Sequence, residues 1–182
     1  MVKTPSLKTL TKSSDCFTCP DPCCRFAKDD AYFAPVLDEK ELARLRQAGR
    51  SFAVLKKGKG VYLLRLRRGR RPGQGRLAGT EIYVCPLLDE ASGACIAYEN
   101  RPLDCSLWPF IFSRSADGQR VILAVFKGIC PSLNQRSAKE KKAYIDYLKE
   151  YLDRTDYQSR LKKYPALIWD YEPATEELMT IF

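Results

Sequence analysis

The chain has 182 residues, 45% hydrophobic and 29% charged, with a formal net charge of +9, eight cysteines and no histidine. That length and apolar fraction suit a small α+β domain with a core of its own, so the cysteines are not needed as staples for a chain too short to fold. The missing histidine excludes Cys-His nucleophile pairs, His-x-Glu deaminase sites and mixed Cys-His zinc fingers. No apolar run approaches the roughly 18 to 20 residues of a membrane span, and Met1 to Ser14 lacks the apolar centre of a secretory signal, so the expected location is cytoplasmic. In a reducing cytosol clustered thiols read as metal ligands ahead of disulfides. The excess of basic residues leaves room for an acidic partner, protein or nucleic acid, although solubility alone accounts for it. Oligomeric state is not legible.

Residues 1–14, with Lys3, Lys8 and Lys12 among Ser and Thr, have no periodicity and read as a flexible amino-terminal arm. The stretch from Cys16 to Cys24 follows, with Cys16, Cys19, Cys23 and Cys24 inside nine residues. Cys-x-x-Cys lets two sulfurs in a tight turn point at one metal, and Pro20 and Pro22 stiffen that turn. Asp38 with Glu41 predicts a capped helix bearing Leu42, Leu45 and Ala48 on one face, ended by Gly49. Residues 61–68 alternate as a strand with Tyr62, Leu64 and Leu66 inward, paired with Thr80 to Val84, so that the hairpin delivers Cys85. Nine basic residues and no acid lie between Lys56 and Arg76. The run reads first as a solvated hairpin and second as a partner-binding arm using Arg67, Arg68, Arg70 and Arg71.

Cys95 and Cys105 come next, separated by Tyr98, Glu99, Arg101 and Pro102. Pro109 to Ser113 and Arg120 to Phe126 predict a second antiparallel hairpin with Asp117-Gly118 at its turn, leading to Cys130. Ser137 with Glu140 is a capping box, and Tyr144, Ile145, Leu148, Tyr151 and Leu152 make one apolar helical stripe. Asp156 to Phe182 reads as one or two short helices broken at Pro165 and Pro173, with Trp169 and Tyr171 over the core. The expected organisation is an arm (1–14), a cysteine-cluster metal-binding domain (15–135) with two hairpins and several helices around the site, and a helical segment (136–182) packing on it.

The cysteines with their neighbours resemble those of the YkgJ-type cysteine-cluster family, a CxxCxxCC zinc- or iron-chelating domain. Its pattern is matched by Cys16, Cys19, Cys23 and Cys24, by Cys85 with Leu88-Asp89, by Cys95, Tyr98, Glu99, Arg101, Pro102 and Cys105, by Trp108, Pro109 and Phe110, and by Cys130. The opening here is Cys-x2-Cys-x3-Cys-Cys, one residue longer than the usual form. Longer relatives include flagellin lysine-N-methylases, so the resemblance implies a link to S-adenosylmethionine chemistry, of which this chain carries no independent sign.

All eight cysteines are candidate metal ligands, with Glu99, Arg101 and Trp108 as candidates to surround the metal. Four thiolates serve zinc and iron–sulfur clusters alike. Three Cys-Pro dipeptides (Cys19-Pro20, Cys85-Pro86, Cys130-Pro131) and a lone Cys-x-x-Cys knuckle favour a [4Fe-4S] cluster, with Zn2+ as the alternative. The function expected is a metal-bound redox, sensing, maturation or S-adenosylmethionine-linked role. The alternative is a non-catalytic zinc-stabilised module docking through residues 56–76; catalysis itself is unassigned.

Overall fold

The computed structural model describes residues 7–10, 13–17, 19, 23–70 and 75–182. The expected arm falls largely outside these residues, as do Pro20, Pro22 and Arg71. Helices and antiparallel strands alternate in three small sheets, the α+β class expected. The described residues fall into two compact units, one within Thr11–Cys105 and one made of residues up to Leu10 with Ser106–Phe182.

The first, the cysteine unit, begins with a short helix α1 (Ser13–Phe17). Strand β1 (Arg25–Ala27) follows, then β2 (Val36–Asp38) and α2 (Glu39–Gln47). The start of α2 is set by the expected capping box. The Asp38 carboxylate accepts from the Lys40 and Glu41 amides at 2.9 Å, and Glu41 Oε2 accepts from the Asp38 amide at 3.2 Å, which satisfies amides the first helical turn leaves open. Leu42 and Leu45 are buried, and Gly49 closes the helix at φ +74°, the left-handed cap that glycine adopts without strain.

Strands β3 (Val54–Gly58), β4 (Val61–Leu64), β5 (Arg67–Arg68) and β6 (Ile82–Val84) complete the unit. They correct the expected single strand over 61–68. That stretch breaks in two: β4 pairs with β3 and β2, whereas β5 pairs with β6, giving sheets ordered β1-β6-β5 and β2-β4-β3. The local Lys59-Gly60 turn, with Gly60 at φ +67°, joins β3 to β4, so that residues 82–84 pair with β5 and β1 instead. Val61 and Leu64 are buried while Tyr62 and Leu66 are half-buried, because a central strand covered on both faces loses the period of two. The core gathers Leu37, Leu42, Leu45, Leu64, Ile82 and Val84 around Cys85.

A short helix α3 (Leu103–Leu107) leads into the second unit, whose strands are β7 (Phe110–Arg114) and β8 (Val121–Phe126). They form the expected hairpin, Phe110 facing Val125 and Arg114 facing Val121. After α4 (Pro131–Asn134), α5 (Ala138–Arg154) starts at the Ser137–Glu140 capping box and buries Tyr144, Leu148, Tyr151 and Leu152. The end of the chain differs from its expected reading. Helix α6 (Tyr157–Lys163) is present, but Thr175–Thr180 is a strand, β9, on the edge of the β7-β8 pair. The segment TEELMT lacks a strand signature because its glutamates face water at a sheet edge. Trp169 is buried as expected, and its amide and carbonyl bond to Phe112 and Arg114 at 2.8 and 2.9 Å. Tyr171, at 48% exposure, does not cover the core. Among the described residues no helix is long and apolar enough to cross a membrane.

Candidate metal centre

The ladder between β1 and β6 brings two distant cysteines side by side. Arg25 stands opposite Val84, and one step further the Cys85 amide donates to the Cys24 carbonyl at 2.9 Å. Cys85 then opens a turn in which the Leu88 amide donates to the Cys85 carbonyl at 3.0 Å and the Leu87 amide donates to the Cys85 sulfur. After the Asp89–Gly93 loop the chain returns antiparallel: Ile96 donates to the Leu87 carbonyl at 2.9 Å, and Leu88 bridges Cys95. Cys95 opens the same kind of turn, with the Tyr98 amide on its carbonyl at 3.2 Å and the Ala97 amide on its sulfur. Cys85 is 4% exposed, and half-buried Cys24 and Cys95 pack against the same cluster of Leu87, Leu88 and Ala97.

Cys105 is delivered by α3, and α2 holds α3 in place. Glu41 Oε1 accepts from the Leu103 amide at 2.8 Å, so one buried glutamate caps two helices. Arg44 donates to the Asn100 and Arg101 carbonyls at 3.4 and 3.2 Å, and the Val36 amide donates to Asp104 at 3.1 Å. Pro102 is fully buried between these anchors. Arg101 lies over the Tyr98 ring, 4.0 Å from its centroid, a cation–π contact that fixes its charge.

The thiols of this unit perturb one another. Cys24 is drawn below the usual thiol range, first by the proton that Cys23 donates to it and then by Arg101 and Arg25. Cys23 is pushed well up, by that same hydrogen bond, by burial, and by Cys24, Cys105 and Cys16. Burial comes first in raising Cys85, Cys95 and Cys105. The Leu87 and Ala97 amides and the guanidiniums of Arg67, Arg101 and Arg50 pull the first two back, while Asp104 pushes Cys105 further. Among the described residues no three of the Cys, Asp and Glu side chains already close to the shell of a bound ion.

The remaining candidates are placed as follows. Cys19 donates its amide to the Cys16 carbonyl at 3.3 Å. Cys130 belongs to the second unit, at the start of α4, and Trp108 belongs there too, its ring 5.1 Å from Phe126. Glu99 is exposed on a 3-10 turn (Tyr98–Asn100). Arg67 pairs with buried Glu90 and donates to the Leu88 carbonyl at 2.9 Å, Arg70 donates its amide to Glu90 at 2.9 Å, and Arg68 pairs with Glu81 at 3.1 Å. Arg67 thus ties the Cys85–Cys95 loop to β5. Replacing Arg67 with Ala removes the ion-pair partner of buried Glu90, which keeps the Arg70 amide, and a loss of about 1 kcal/mol is expected by urea denaturation, the pair being half-exposed on the arginine side. A loss under a few tenths would remove the tie. Sequence reading missed the second role of Glu41, the clamp by Arg44, and the charges of Arg25 and Arg50. The capping box marks Glu41 for α2 alone, and no local signal marks the others.

The fold is that of a small α+β protein with partly buried cysteines in its first unit and guanidiniums near them. The chain belongs to the CxxCxxCC family, described as "Putative zinc- or iron-chelating domain", whose model matches residues 15–142. No curated protein and no solved structure matches it. Metal chelation by cysteine, with zinc or iron as the metal, is the class of function this membership gives.

Proposed function

We propose that the protein holds an iron–sulfur cluster of the [4Fe-4S] kind on thiolates of the cysteine unit, in a redox, sensing or maturation role. The observation that carries this reading is that seven of the eight cysteines, Cys16 to Cys105, fall in one compact unit, in which the Cys85 amide bonds to the Cys24 carbonyl. Supporting features are the amide bonds to the Cys85 and Cys95 sulfurs and the guanidiniums of Arg25, Arg50, Arg67 and Arg101. Hydrogen bonds to sulfur and nearby charge are two of the levers that set a cluster's potential. When bound, the cluster supplies one-electron transfer. The chain's own part is to exclude water with Leu87, Leu88 and Ala97, to orient Cys85 and Cys95 through their turns, and to offset negative charge with Arg101.

The protein purified without oxygen should be brown and carry about four iron and four acid-labile sulfide per chain. A colourless protein with stoichiometric zinc would leave chelation standing and overturn the cluster.

A further inference from the structure

We infer that the β3-β4 hairpin is a docking edge for double-stranded DNA, entering the major groove with cations on both of its faces. This goes beyond the metal reading and uses none of its residues, since neither strand carries a cysteine.

The fold sorts the basic run. Nine Lys and Arg residues and no acid lie between Lys56 and Arg76. Arg67 and Arg68 pair with Glu90 and Glu81, so their charges have partners inside the unit. Lys56, Lys59 and Arg65 are exposed, and among the described residues none of the three has a carboxylate partner. Three uncompensated cations therefore share one hairpin, and a polyanion relieves their mutual repulsion.

Their placement selects the partner. Among the described residues β3 is the outer strand of the β2-β4-β3 sheet. Lys56 stands opposite Tyr62, on the face where Tyr62, Leu64 and Leu37 meet the core. One step past the Val54–Leu64 pair, the Arg65 amide donates to the Ala53 carbonyl at 3.0 Å. The period of two then puts Arg65 on the opposite face, with Leu63 and Leu55. Lys59 sits in the turn that joins the strands, beside Gly60. Cations on both faces and at the tip suit a partner that offers negative charge on two walls. The major groove of B-form DNA is roughly 12 Å wide, admits a two-stranded ribbon and is bordered by phosphates on both sides. A bilayer or a flat acidic protein surface meets only one face of such an edge. In this hairpin Leu55, at 51% exposure, is the one exposed large apolar side chain, too little to anchor in lipid or to centre a protein interface. Its aromatic residue, Tyr62, is half-buried, which leaves no platform for stacking the bases of a single strand.

The test is fluorescence anisotropy of a labelled mixed-sequence DNA duplex of about 20 base pairs, titrated with the full chain as purified between about 50 and 200 mM salt. Three phosphate contacts at about −0.9 each give an expected slope of log K on log salt of about −2.7. K56Q/K59Q/R65Q should weaken binding at the lowest salt at least about tenfold and bring the slope to about −1 or shallower. K139Q/K149Q/R154Q removes the same charge from the exposed side of α5 and should leave affinity within about twofold. Lys59→Glu, confined to the turn, should weaken binding at least about threefold, and it keeps the test decisive where the triple variant fails to fold. The single strand of the same sequence should bind more weakly than the duplex. Absence of duplex binding at the lowest salt would overturn the inference, and so would equal losses in the two triple variants, which would reduce the effect to net charge. Tighter binding to the single strand, to phosphatidylserine vesicles or to polyglutamate would overturn it too, because each sets these cations against a different partner.

Discussion

Stripping the metal from the full chain is expected to collapse amide protection in the cysteine unit and leave the β7-β8-β9 sheet protected. The reason is the imbalance in local structure. In the cysteine unit β1 and β6 have three residues each and β5 has two, well below the strand lengths that hold a sheet by themselves. The turns that carry Cys85 and Cys95 contain few backbone bonds and end on sulfurs. A metal bound by such groups contributes its binding energy to folding, with apparent values for structural zinc in peptides of about 10–16 kcal/mol. The second unit has strands of five, six and six residues and a capped helix of 17 residues. Its core includes Phe110, Leu123 and Leu148, and Phe112 stacks on Tyr157 at 5.6 Å. Hydrogen exchange followed by mass spectrometry should show the Cys85, Leu88, Ile96 and Tyr98 amides speeding by roughly a thousandfold or more after chelation. Segments 110–114 and 121–126 should stay within about threefold of their starting rates. Equal protection of both units in the metal-free chain would mean that the site is mounted on a fold that does not need it.

The second large effect is expected at Glu41, a residue with no sulfur contact. Its carboxylate accepts the Asp38 amide on one oxygen and the Leu103 amide on the other, at 6% exposure. Glu41→Ala opens both bonds in a buried setting and should cost about 2–4 kcal/mol, against about 1 kcal/mol for a helix cap alone. Glu41→Gln keeps the volume and one carbonyl acceptor, so about half of that loss should return. Stability alone would not distinguish a structural cap from a device that positions Cys105. The distinguishing measurement is the rate at which a chelator in excess removes the metal. Both variants should release it faster, in the order Ala, Gln, Glu, whereas Arg67→Ala destabilises without loosening α3. An unchanged release rate in Glu41→Ala would reduce Glu41 to a cap.

The elements that could be read without the fold are those whose cause lies within a few residues. The capping boxes at Asp38–Glu41 and Ser137–Glu140 are closed by side chains reaching three positions along the chain. The β7-β8 hairpin follows from Asp117-Gly118 between two apolar runs, with Gly118 at φ +72°. Gly49 after an amphipathic run stops α2 for the same local reason. The β5-β6 pairing agrees with the expected hairpin, whereas residues 61–64 differ from it because a nearer partner, β3, is reached through a two-residue turn. Thr175–Thr180 was misread because an edge strand with glutamates acquires its structure from β8, which supplies the backbone bonds that its own side chains do not promote.

The cysteines divide along the same line. Their number, the absence of histidine and the spacing of Cys16, Cys19, Cys23 and Cys24 by themselves made thiolate chelation the expected chemistry, the class that membership of the family gives. Thiol chemistry is a property of side-chain type and needs no fold to be recognised. Only the tertiary structure decided which cysteine-bearing segments lie together. The Cys85 amide meets the Cys24 carbonyl at the end of the β1-β6 ladder, Cys95 bridges Leu88, and a glutamate of α2 holds the first residue of the helix that carries Cys105. The first and last of these contacts join segments far apart in the chain, where closure depends on packing and backbone pairing rather than on any local preference.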